Sequence, residues 1–339
     1  MRTFIAGLAA LALSAPMAAP ANEQTARTPG DVVDAAPASE WRRIPASDLL
    51  VMDLAADPRG QERRVVIQLI AAPFSQGWVS NIRKLVAARW FDGTAVVRVQ
   101  DNYVAQWGDP DGEIPGKARA LPRGLSTMAP SDYTAAISKS TPPFTALLRG
   151  EDPYLTHAGT DDRRVLGAVA GFSQGWPVAM APPTPRSAAS TTGADAQGVA
   201  GAAWPLHCYG MVGVGRNLSP DTGTGAELYA VIGHAPRQLD RNVALVGRVI
   251  SGIEHLSSLP RGTGEIGFYK TAGERTPIVS VRTGDEVPGL ASYEYLSTDS
   301  ASFAAYVDKR ANRLDDFYIQ PAGGVDVCNV PVPIREAKR

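Results

Sequence analysis

Short runs of apolar and β-branched residues, bounded by turn residues, recur along most of this chain. Eight of them read as β-strands: residues 49–54, 64–69, 95–99, 103–106, 209–214, 228–232, 244–249 and 277–281. Between the second and third, residues 76–89 carry the helical period, with Trp78, Ile82, Leu85 and Val86 on one face. A shorter helix fits residues 252–259, with Ile253, Leu256 and Leu259 turned inward. The pattern predicts a mainly β fold, a closed eight-stranded barrel with two flanking helices, because closure removes exposed strand edges.

Two parts do not fit a compact barrel. Residues 111–205 form a long insertion between the fourth and fifth strands, with turn residues, a Gly171-Phe172-Ser173-Gln174-Gly175-Trp176-Pro177 stretch and a low-complexity run over 183–203. A structureless loop of that length is unusual in a domain, so a partly ordered lobe with a flexible segment is expected. A C-terminal extension over 289–339 adds a helix at 300–312, capped by Asp299, and a final strand at 325–330. The barrel domain thus spans 46–288, preceded by a polar, Pro/Ala-rich flexible segment over 22–45.

Residues 1–21 read as a secretory signal. Arg2 is followed by an apolar run over 4–15, too short to cross a bilayer, and Ala19-Pro20-Ala21 fits a cleavage site. The other reading is an apolar core helix. The signal reading predicts bacterial export to the periplasm and no integral membrane segment after cleavage. Cys208 and Cys328, an even pair, are then either a disulfide or two buried thiols.

Composition narrows the chemistry. A net charge of −1 with no long basic run lacks the footprint of a nucleic-acid binder. The 33 glycines and 27 prolines fit a turn-rich β protein. His157, His207, His234 and His255 are scattered without metal-ligand spacing and read as structural. Asp109-Pro110-Asp111-Gly112-Glu113 lacks the alternation of a calcium loop, and Gly213-x-Gly215 lacks the third glycine of a dinucleotide site. No metal and no cofactor are expected.

The segment from Trp90 to Pro110 is the richest. It sets an arginine, an aromatic and a glutamine on two short strands joined by an Asp101-Asn102 turn. Strict alternation would put Val96 and Arg98 on one face and Val97 and Val99 on the other. The segment resembles the signature of the cyclophilin family of peptidyl-prolyl isomerases: aromatic, Asp/Lys, Gly, then Phe-His-Arg-Val, an aromatic and Gln-Gly-Gly-Asp. A second block is similar to the same family through Tyr209–Asn217, Ala226–Gly233 and Leu239–Val249, continued by Gly252-Ile253-Glu254. The likeness covers about residues 48–110 and 205–285.

By that resemblance Arg98 takes the family's catalytic position. Tyr103, Val104, Tyr229 and Leu239 line a proline pocket, Gln106 holds substrate backbone, and Glu227 stands where a glutamine is usual. Met211, Val212 and Gly213, continued by Val214, would form a groove wall that pairs with peptide backbone. The chain departs from the family at several places. Val96-Val97 replace Phe-His, and Trp107 replaces a glycine, where it is expected to crowd the strand end. Gln238 or Arg237 replaces an aromatic, and Val243 replaces a histidine or tyrosine. The implied partners are proline-containing segments of exported proteins. The implied alternative is a cyclophilin-like barrel that binds such segments, or acts as a chaperone, with weak turnover.

These residue types suit amide rotation. The X–Pro bond rotates slowly because resonance stiffens it, with a barrier of about 20 kcal/mol. A catalyst forms no covalent bond and need only favour the twisted state over both planar ones. In that state the proline nitrogen regains a lone pair, and an adjacent guanidinium can donate to it.

Overall fold

The structure, a computed structural model, describes residues 28–137, 142–146, 168–181, 201–315 and 317–337; the expected signal over 1–21 lies outside them. The segment expected to be a flexible lead-in is folded from Thr28 onward. Thr28 caps helix α1 (Pro29–Asp34) through a capping box with Asp31, and strand β1 (Trp41–Ile44) buries Trp41 and Ile44. The partner of β1 is strand β15 (Tyr293–Leu296), some 250 positions later. Composition does not reveal so distant a partner.

Eight antiparallel strands close the barrel: β2 (Leu49–Leu54), β3 (Arg63–Leu69), β4 (Ala95–Val99), β5 (Val104–Gly108), β11 (Met211–Val214), β12 (Leu228–Val231), β13 (Leu245–Ser251) and β14 (Thr276–Thr283). Around the barrel they run β11-β12-β5-β4-β14-β2-β3-β13. All eight strands read from the sequence are present, two with the expected ends and the rest with ends shifted by no more than two residues. Helix α2 (Gln76–Ala87) buries Trp78, Ile82, Leu85 and Val86, the face its periodicity predicts. Helix α3 (Glu254–Ser257) is a single turn that buries Leu256.

The insertion is more ordered than its composition implies. Its strands β6 (Ala135–Ala136), β7 (Thr145–Ala146), β8 (Val169–Ser173), β9 (Trp176–Ala181) and β10 (Ala202–Pro205) form a second sheet in the order β6-β10-β9-β8-β7. The β8–β9 hairpin turns at Gln174-Gly175, both at positive φ. Most of the low-complexity run, 183–200, lies outside the described residues.

Arg248 of β13 fastens this sheet to the barrel. Its Nε and Nη2 donate to Gln68 of β3 at 2.9 and 2.7 Å, and its Nη1 donates to the Gly175 carbonyl at 2.6 Å. The guanidinium also sits 4.3 Å from the Trp176 ring centroid. Burial pushes its pKa down to about 9.

The C-terminal extension differs from its expected form in two ways. Helix α4 (Ala301–Ala311) is capped by Ser300, whose side chain accepts from the Phe303 N–H, and not by Asp299. The expected strand over 325–330 is absent. Val327–Asn329 form a 3-10 turn, because the Asp326 carboxylate accepts from the Cys328 N–H at 2.8 Å. The last strand is instead β16 (Ile334–Glu336), paired with β15. Cys208 and Cys328 are joined as a disulfide across a separation of 120 residues.

Candidate functional site

A notch of about 200 Å³ opens on the outer face of β5 and β12. Its walls are Arg98, Tyr103, Val104, Gln106, Val214, Gly215, Arg216, Tyr229, Leu239 and Val243. Alternation explains the division of labour. On β5, Ala105 and Trp107 enter the main core, while Val104 and Gln106 face outward; on β12, Leu228 and Ala230 enter while Tyr229 and Val231 face outward. Val104, Tyr229 and Val231, with Tyr103, Leu239 and Val243, make a small apolar cluster separate from that core. Trp107, 1 % exposed, points inward and does not crowd the strand end.

The arginine reaches the notch through a β-bulge. On β4, Val96 lies opposite Trp107 but Arg98 lies opposite Gln106, so two steps on β4 meet one on β5. The bulge overturns the simple alternation: Val96 and Val99 are both in the core, and Val97 and Arg98 are both partly exposed. The guanidinium is braced on three sides. Nε donates to the Ile266 carbonyl at 2.7 Å, Nη1 to Gln106 Oε1 at 2.9 Å, and Nη2 to Gln100 Oε1. It also lies 5.3 Å from the Phe268 ring centroid and 5.6 Å from that of Tyr103. A guanidinium has five N–H donors, so one remains on each terminal nitrogen. Burial lowers the Arg98 pKa from its ordinary value, but an arginine stays cationic at any ordinary pH.

Gln106 is buried, and its amide orientation is set from both ends, since Oε1 accepts from Arg98 and Nε2 donates to Glu227. Glu227 does not line the notch; it stands behind Gln106 as an anchor. Burial, partly offset by the Gln106 bond, raises the Glu227 pKa above the usual carboxylate value. Just above that usual value the folded protein then holds more protons than the unfolded chain. This group's contribution to stability therefore falls as pH rises through the window between the two pKa values. Glu227→Gln should remove that loss, so that urea midpoints at pH 8 favour the variant over wild type more than midpoints at pH 4.5 do. An equal difference at both pH values would contradict it.

The expected groove wall is displaced along the chain. Both edges of β11 are taken, by β12 and by β13, so Met211, Val212 and Gly213 have no free edge to offer a peptide. Met211 and Val212 are core residues; of the expected wall only Val214 lines the notch, joined there by Gly215 and Arg216. Gly213 has a different task. A Cβ built there would lie 2.3 Å from the Tyr229 hydroxyl oxygen, so only glycine lets that ring lie against β11. Gly213→Ala should push Tyr229 into the notch and weaken Ala-Pro peptide binding about tenfold, within the range of overpacking costs. NMR titration of the peptide checks it; an unchanged affinity would contradict it.

Tyr229 is 6 % exposed, and burial holds its phenol well above its ordinary pKa, so it remains a neutral O–H. Its hydroxyl meets His207 Nε2 at 2.9 Å. Of the departures from the family pattern, Val243 simply closes the apolar cluster, Gln238 is exposed, and Arg237 is buried against Asp240. The sequence takes His207 as structural and does not single out Gln100, Arg216 or the 266–268 loop that braces Arg98. Only Gln100, two residues beyond Arg98, carried any local signal. Among the described residues no cluster of three His, Cys, Asp or Glu could hold a metal, and no helix is long and apolar enough to cross a membrane.

The sequence model of the family described as cyclophilin type peptidyl-prolyl cis-trans isomerase/CLD matches residues 64–282. No curated protein matches the chain. Among solved structures, the cyclophilin AquaCyp293 from Hirschia baltica is similar with a TM-score of 0.61 at 18% identity, over 92% of this chain and 99% of that one. A cyclophilin type peptidyl-prolyl cis-trans isomerase from Cryptosporidium parvum is matched with a TM-score of 0.36 at 12% identity, over 69% of this chain and 96% of that one. The family match spans well over half of the chain, on a closed eight-stranded barrel of the same fold: this chain belongs to the cyclophilin-type peptidyl-prolyl cis-trans isomerase family.

Proposed function

We propose that the protein accelerates cis-trans rotation of X–Pro bonds in peptide segments, with Arg98 stabilising the twisted amide. One observation carries this reading: a guanidinium braced by Ile266, Gln106 and Gln100 borders an open apolar notch walled by Tyr103, Val104, Tyr229, Leu239 and Val243. The prolyl ring enters the notch and loses water there. The remaining Arg98 N–H groups then donate to the proline nitrogen once rotation restores its lone pair. No proton is transferred and no covalent bond is formed or broken. A bracing network fixed in advance spares the cost of orienting the guanidinium as the amide twists.

The clients in this proposal are exported proteins in the periplasm. The signal-like pattern of residues 1–21 and the disulfide support it. The test of the function is cis-trans exchange of an Ala-Pro peptide, followed by NMR, with wild type and with Arg98→Ala. Equal exchange rates for the two proteins would reject the enzymatic reading and leave a proline-binding barrel in its place.

A further inference from the structure

Behind the notch runs a row of polar side chains that the rotation chemistry does not use. Tyr229 lines the notch, and its hydroxyl lies 2.9 Å from His207 Nε2. His207 Nδ1 lies 2.9 Å from Asp240 Oδ1, and the His207 main-chain N–H donates to the same oxygen at 2.9 Å. Arg237 Nε donates to Asp240 Oδ2 at 2.5 Å. His207 is 1 % exposed, Arg237 3 % and Asp240 8 %.

Burying such a row is costly unless its members satisfy one another. The pairing also fixes the direction of the bond to Asp240. A carboxylate only accepts, so Nδ1 carries the hydrogen on the Asp240 side. Nε2 then meets the Tyr229 hydroxyl, which can donate to a bare ring nitrogen or accept from a protonated one, so the contact holds in either form of the ring. The His207 and Tyr229 rings lie nearly parallel, 14° apart. Placement points the same way. His207 is the second residue after β10, at the junction of the inserted sheet with the barrel, and the loop that supplies Asp240 also supplies Leu239, another wall of the notch. The Tyr229 ring also lies against Gly213, where a Cβ would clash with it.

We propose that His207, oriented by Asp240, is a positioning residue for the proline notch: it holds the Tyr229 ring in the place where the prolyl ring meets it. The notch is thereby formed before the peptide arrives, and binding does not have to order its wall. The inference rests on the isomerase reading of the site. It assigns His207, which lies outside the motifs that mark the family in this sequence, to the substrate pocket. It also ties the pocket to the inserted sheet.

A double-mutant cycle tests it, read as both KM and kcat for Ala-Pro exchange and as peptide affinity by NMR titration. His207→Asn keeps a polar group near Asp240 but cannot reach Tyr229. It should weaken peptide binding and raise KM roughly fivefold, as expected for loss of one coupled contact, with little change in kcat. His207→Gln, which can still reach the hydroxyl, should restore most of the affinity. In a Tyr229→Phe background, which lacks the hydroxyl, His207→Asn should add nothing further. If His207→Asn does not fold by urea titration, Asp240→Asn takes its place in the same cycle with the same expectation. Multiplying effects, or wild-type affinity in His207→Asn, would overturn the proposal. Wild type against Arg98→Ala in the same assay separates the two readings. Equal exchange rates sink the isomerase reading, while the affinities still decide the positioning role; absence of peptide binding in wild type sinks both.

Discussion

Arg98→Ala should lower kcat/KM for Ala-Pro exchange by roughly 10²–10³, the usual loss when one preorganised donor to a transition state is removed. The loss should fall on kcat more than on KM, because the proline nitrogen accepts a hydrogen bond only when the amide is twisted. Arg98→Lys should recover little. An ammonium keeps the charge but lacks the planar fork that meets the Ile266 carbonyl, Gln106 and Gln100 at once. Stability should change modestly. Arg98 is partly exposed, so the acceptors it leaves reach water, and a cost near 1 kcal/mol per lost bond is the expected scale. Urea titration beside the NMR exchange assay separates a lost function from a lost fold. An alanine variant within twofold of wild type in kcat/KM would remove Arg98 from the mechanism.

Replacing Cys208 and Cys328 together by serine should have the largest effect on stability. The bridge closes a loop across 120 residues, and in the chain-entropy account such a loop is worth about 5 kcal/mol. That is comparable with the whole stability of many domains, about 5–15 kcal/mol. The urea midpoint of the oxidised wild type should therefore fall steeply on reduction, and the reduced wild type should match the serine variant. The effect should reach the site as well. Cys208 follows His207 directly, so releasing Cys328 removes the covalent tether beside the histidine that meets Tyr229. Equal midpoints for oxidised wild type and the serine variant would show that the bridge adds nothing to stability.

The sequence carried the barrel well because each strand announces itself locally. Residues 49–54 or 95–99 need only β-branched composition and flanking turns to be read, and these strands lie there. The segment before β1 was misread because its order depends on β15 and α4, to which no short window connects it. The inserted sheet was missed for a related reason. Its strands are short, rich in alanine and glycine, and stabilised by the Arg248 contacts to Gly175 and Trp176. The strand expected at 325–330 failed because one Asp326 side chain competes for the backbone.

The site divides in the same way. The order of Arg98, Tyr103, Gln106, Tyr229 and Leu239 along the chain was enough to gather these residues around one notch, because alternation and a fixed barrel order decide which side chains share a face. How they brace one another was invisible. Arg98 and Ile266 are 168 residues apart, and Gln106 and Glu227 are 121 apart. The bulge that swings Arg98 outward exists only once β4 has met β5. Sequence by itself thus determined the barrel strands and the faces of all but the bulged one, since those follow from backbone preference and the two-residue period of a strand, and its motifs carried the family. Tertiary structure alone decided the partners of each buried polar group, since a hydrogen bond is set by the spatial meeting of atoms that the chain keeps far apart.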